Sequence, residues 1–216
     1  PMFIDKPVAG TLTDAVAIYL AAEHFQSPVF SCSSLRYASA AQRAREGALG
    51  DVIGCDAFSP CSLEPSHPDL YWYGIHGVEL LFTVMGPGCR QVHRASGEHT
   101  DFVMGSWENG RVGSFRGLRP PARQVYGGPV FGAEGIQALG SFEGYGPLVL
   151  QIGQFFRTGQ PPVARDETLE IYAFMTAADA SKQQGGAAVS LESVLREARA
   201  AALPRLKSLG VELPGS

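Results

Sequence analysis

Two side chains in this sequence stand where proton chemistry could be done. Lys6 follows the short apolar run Met2 to Ile4 and precedes Pro7. At the carboxyl end of a strand in an α/β sheet a side chain points into the ligand crevice, where an ammonium can donate to a substrate oxygen. On position alone, a solvated lysine at a strand end is the plainer reading. His76 lies in Tyr71-Trp72-Tyr73-Gly74-Ile75-His76-Gly77-Val78-Glu79, near the start of an expected helix and on one face with Glu79. An imidazole is the usual acid/base group near neutral pH. Taken alone, His76 reads slightly better as a core histidine satisfied by Glu79 or by backbone.

Other candidates are weaker. Arg36 ends an expected strand beside Tyr37 and could bind an anionic or hydroxylated substrate, or pair with a surface carboxylate, the plainer role. Tyr71, Trp72 and Tyr73 form an aromatic cluster beside His76; such clusters line sugar and ring pockets, and are equally ordinary core residues. His76, Glu79, His67 and Cys61 have neither H-E-x-x-H nor closed Cys/His spacing, so no metal site is expected. The chain contains no G-x-G-x-x-G fingerprint, no P-loop and no G-x-S-x-G elbow.

The elements that must position these residues change character along the chain. Met2 to Ile4 reads as a short strand and Thr13 to Phe25 as a helix, capped by Thr11 or Thr13. Pro28 to Tyr37 reads as a second strand, giving the strand–helix–strand order of a parallel sheet. Ala38 to Ala48 is a further helix. Val52 to Phe58 is a strand, Ser59 to Asp69 a loop, and Trp72 to Met85 a helix stopped by Gly86. Cys89 to Ala95, Thr100 to Glu108 and Arg111 to Leu118 are strands, the last two joined at Asn109-Gly110, a strong hairpin signal. Val125 to Leu139 adds one or two more, for an antiparallel sheet of four to six strands. The tail is helical over Gly146 to Arg157, Asp166 to Gln184 and Leu191 to Leu206.

Composition bounds the function. Hydrophobic residues make up 45% of 216, enough for a sizeable core, and 17 basic against 21 acidic residues leave a net charge of −4. With no basic block, nucleic acid is not an expected partner. Cys32, Cys55, Cys61 and Cys89 make no C-x-x-C pair and no disulfide scaffold, which favours a reducing, cytoplasmic setting. No apolar run approaches the roughly 18 residues of a membrane span. The chain opens on Pro1, and an N-terminal segment is expected to be missing.

Taken together and in order, these motifs resemble the Gfo/Idh/MocA oxidoreductases. Phe3-Ile4-Asp5-Lys6-Pro7 is similar to the family's E-K-P motif, with Asp5 in place of glutamate. Gly74-Ile75-His76-Gly77-Val78-Glu79, with Met85-Gly86, is similar to its D-x-G-x-H-x-x-D helix, with Trp72 where the family has aspartate. Trp107 to Phe115 resembles the central hairpin of the sheet domain, and Phe131 to Gly135 a later strand. The resemblance implies an α/β (α+β) fold: a mostly antiparallel open sheet with helices on one face, preceded by a short remnant of a parallel dinucleotide-binding domain. Residues 1–36 would be that Rossmann remnant and residues 37–216 the substrate-binding and dimerisation domain. Lys6 and His76 would be the catalytic pair, Lys6 and Pro7 would meet the cofactor, and Arg36, Tyr71, Trp72 and Tyr73 would surround the substrate. The implied activity is hydride transfer between NAD or NADP and a sugar, cyclitol or related polyhydroxy compound in a homo-oligomer formed through the sheet. NAD(P) would serve the full-length parent; this chain alone, lacking a phosphate loop, is expected to bind none and to be inactive. The alternative is a non-catalytic dimerising ligand-binding module without a cofactor domain.

Overall fold

The computed structural model describes residues 1–213. Strand β1 (Met2–Phe3) pairs in parallel with β2 (Val29–Phe30), and helix α1 (Leu12–His24) crosses between them. Thr11 caps α1, its hydroxyl accepting from the Asp14 N–H at 3.0 Å. The expected long strand from Pro28 to Tyr37 is a correction: only Val29–Phe30 is strand, and Ser34–Tyr37 forms a 3-10 turn. The cause is local, since the Ser33 hydroxyl accepts from the Leu35 N–H at 3.2 Å and turns the chain.

After α2 (Ser39–Arg45) come β3 (Val52–Pro60), α3 (Ile75–Met85), β4 (Cys89–Ser96), β5 (Thr100–Trp107), β6 (Val112–Leu118), β7 (Pro129–Gly132) and β8 (Gly135–Ala138). Helices α4 (Gly146–Thr158) and α5 (Arg165–Gln183), strand β9 (Val189–Ser190) and helix α6 (Leu191–Ser208) follow. The larger sheet has seven strands in the order β8-β7-β3-β6-β5-β4-β9. It exceeds the expected six by β9, and all pairs are antiparallel except β3 with β6. Asn109 and Gly110 turn between β5 and β6 with φ of 66° and 76°, a left-handed geometry these two residue types tolerate.

Helices α3, α5 and α6 cover one face of this sheet. Along β5, Asp101, Val103, Gly105 and Trp107 are buried on the helix side while Thr100, Phe102, Met104 and Ser106 alternate to the open side. Helix α1 packs on α5 and α6, so Leu12, Ala15, Val16 and Tyr19 join the main core. A smaller cluster of Phe30, Cys32, Leu148, Phe155 and Val163 seats α4 against the two-stranded sheet. Among the described residues no helix is long and apolar enough to cross a membrane.

Candidate active site

Helix α3 carries His76 in its first turn. The helix begins at Ile75, later than the expected Trp72, because Leu70 to Gly74 form turns closed by Ile75 N–H donating to the Leu70 carbonyl at 2.7 Å. Gly77 presses this turn onto the sheet: a β-carbon there would lie 2.4 Å from the Phe115 ring. The His76 ring is close enough to the segment that follows β1 to feel its charge. Lys6 lies there, a quarter exposed, 3.9 Å from the Asp5 carboxylate. The chain beyond Lys6 is tied down by the Val8 N–H, which donates to the Tyr172 hydroxyl of α5 at 2.5 Å.

Nδ1 of His76 is 2.7 Å from the hydroxyl oxygen of buried Ser33. The Tyr73 and Tyr126 rings meet the imidazole edge-on at centroid distances of 5.2 and 6.1 Å. Burial of the ring, then the Lys6 charge, push the His76 pKa down to about 4. The positive end of α3 acts in the same direction. At neutral pH the imidazole is therefore neutral and lies within the field of the Lys6 charge, a state in which an imidazole can exchange a proton with a bound oxygen. Burial and the neighbouring Tyr73 phenol raise the pKa of Tyr126.

The structure brings Lys6, His76 and Tyr73 together and places the other expected residues elsewhere. Arg36 is not on a rim. It is 3% exposed and pairs with Glu79 and, at 2.7 Å, with Glu167, while Arg45 reaches Glu167 at 3.1 Å. A buried guanidinium needs such partners, so Arg36 ties the 3-10 turn to α3 and α5. Burial and then Arg36 compete at Glu79, where burial wins and raises the pKa; at Glu167 the two arginines outweigh burial and lower it. Tyr71 is 1% exposed and bonds to the Thr176 hydroxyl at 2.8 Å, inside the α5 packing. Trp72 is exposed and packs on His67 at a centroid distance of 5.0 Å. His76 is satisfied by Ser33, with Glu79 committed to Arg36. Sequence reasoning missed Ser33 and Tyr126. Ser33 lies in a run of small polar residues and Tyr126 in a loop, and neither carries a motif.

Among the described residues no group of His, Cys, Asp and Glu could hold a metal ion. The turn from β1 to α1 runs through Lys6, Pro7 and a single Gly10, against which no close approach is built.

The sequence matches no family model and no curated protein. Solved structures do match. Myo-inositol 2-dehydrogenase from Lactobacillus plantarum superposes with a TM-score of 0.73 at 15% identity, over 87% of this chain and 72% of that one. GenD2 from gentamicin A biosynthesis, in complex with NAD, gives 0.74 at 18% identity over 87% and 70%. Apo scyllo-inositol dehydrogenase from Lactobacillus casei gives 0.68 at 13% over 88% and 71%. The fold is that of the Gfo/Idh/MocA-type oxidoreductases. At these identities the likeness is one of fold, and within a Gfo/Idh/MocA-type fold the chemistry has to be argued from the site itself.

Proposed function

We propose that this chain is the substrate-side part of a Gfo/Idh/MocA oxidoreductase that transfers a hydride between NAD(P) and a sugar, cyclitol or related polyhydroxy compound. The observation that carries the reading is the nearness of the Lys6 charge to His76, whose ring lies between Tyr73 and Tyr126. The fold likeness to inositol dehydrogenases and to an NAD-bound enzyme supports it. Lys6 donates to the reacting oxygen and His76 exchanges its proton. Tyr73 and Tyr126 give the polyol's apolar face a wall to lie on. The nicotinamide comes from a dinucleotide-binding domain, of which residues 1–36 are the end and residues 37–216 the substrate-side partner. The open face of the seven-stranded sheet pairs with a second copy of the chain. Titrating the isotope-labelled chain with myo-inositol and related polyols tests the site: saturable NMR shifts should centre on His76, Tyr73 and Tyr126. If no polyol perturbs these residues, or all perturb another surface, the reading fails.

A further inference from the structure

Ser33 is fully buried, and its hydroxyl has two neighbours. The Leu35 N–H donates to its oxygen at 3.2 Å, and His76 Nδ1 stands 2.7 Å away. The backbone bond can run in one direction only, because an amide N–H never accepts. The hydroxyl proton then has one acceptor within reach, Nδ1. Were Nδ1 protonated, it would donate to Ser33, and the hydroxyl proton would be buried without an acceptor, an arrangement folded proteins avoid. Protonation at Nδ1 is thus disfavoured, and the neutral ring carries its proton on Nε2. That atom has no protein partner among the described residues and is not among the buried unpartnered atoms, so it keeps surface that a ligand can reach.

We propose that Ser33 is a positioning residue that holds His76 as its Nε2–H tautomer, so that Lys6 and His76 present two donors to a ligand oxygen that only accepts. Such an oxygen belongs to a carbonyl or carboxylate more readily than to an alcohol. The ligand half of this inference rests on the proposed function; the tautomer half does not. A carboxylate beside the imidazole would do the opposite, drawing the proton to Nδ1 and favouring the cation. The position four residues before His76 holds Trp72, which is turned onto His67 and supplies no such group. The charged and titratable groups facing the ring are Lys6 from the segment after β1, Tyr73 from the turn before α3, and Tyr126 from the loop before β7. Glu79, one turn further along α3, is bound to Arg36.

Long-range proton–nitrogen correlation on the ¹⁵N-histidine-labelled chain reads the tautomer directly, with His76→Gln assigning the signal. Protonated Nε2 and bare Nδ1 are expected at pH 7. Ser33→Ala should give a mixture of tautomers and raise the titration midpoint by about one pH unit, a tenfold gain in proton affinity. Ser33→Thr, which keeps the hydroxyl, should restore both. An Nδ1–H pattern in the unsubstituted chain overturns the proposal, as does Ser33→Ala with tautomer and midpoint unchanged. Should Ser33→Ala fail to fold, the unsubstituted chain and Ser33→Thr still decide. For the ligand half, a mono-oxo cyclitol should perturb His76 at lower concentration than the parent cyclitol. Equal or reversed preference removes that half and leaves the tautomer standing.

Discussion

At His76 the burial of the ring and the charge of Lys6 act together, and the consequence reaches stability. Its folded pKa of about 4 lies below the ordinary 6.5. As pH falls, the unfolded chain takes up this proton first. The stability associated with His76 is therefore whole above the unfolded pKa and lost as pH falls from 6.5 towards 4, by up to about 3 kcal/mol. Asp179 works the other way: burial, opposed by Arg94, raises its pKa to about 6, so it contributes stability as pH falls through that value. His76→Gln should remove only the first component. Urea unfolding at pH 7 and pH 4.5 should show a smaller acid loss in the variant, and an equal loss would place the imidazole in an environment unlike this one. Residue type and position alone favoured a plainer reading of both Lys6 and His76, and only the family resemblance set the two side by side, as the Lys6 charge at the His76 ring now does. Arg36 was misplaced because a strand-end position says nothing of direction, and its carboxylate partners lie far along the chain. Ser33 left no trace in the sequence, since a serine in a polar run becomes a histidine partner only through the tertiary fold.

The elements were more readable than the contacts between them. Asn109-Gly110 and the alternation along β5 announced a hairpin in this register, and the apolar period of α5 announced its buried face. The strand read over Pro28 to Tyr37 failed because its apolar spacing is shared by a short strand followed by a capped turn. The closeness of α3 to the sheet was also hidden, because a glycine in a helix gives no hint of what lies opposite. Gly77→Ala would drive a methyl to 2.4 Å from Phe115 and 2.8 Å from the Ser59 hydroxyl. It should cost about 1–3 kcal/mol and displace His76; denaturant unfolding together with the His76 chemical shift checks both. At the far end of the sheet Arg94, whose side chain has no exposed surface, bonds to Asp101 and Asp69 at 2.9 Å and to Asp179. Arg94→Met leaves Asp101 buried with Arg119 as its remaining cation, and should cost roughly 3–5 kcal/mol. A change below about 1 kcal/mol in urea unfolding would make this network ornamental to stability.

Across the whole molecule, helices cover one face of the seven-stranded sheet and leave the other open. On the open face Phe102 lies under the Arg116 guanidinium at 4.7 Å, and Val112 is about half exposed, at 48%. An apolar sheet face of this kind is expected to pair with a second copy of the chain. Light scattering should return a dimer mass that Phe102→Asp lowers to the monomer, and a monomer at high concentration without the substitution would count against the pairing. The proposed role of Lys6 and His76 is to manage the proton of a hydride transfer. Its most direct test is turnover of NAD(P) with a polyol panel by a protein in which this chain is joined to a dinucleotide-binding domain, with and without His76→Ala. The substitution should lower turnover by about 10²–10⁴-fold, the usual worth of a general acid/base. A loss smaller than about threefold, or no polyol-dependent turnover in the unsubstituted protein, would rule out this role for the pair.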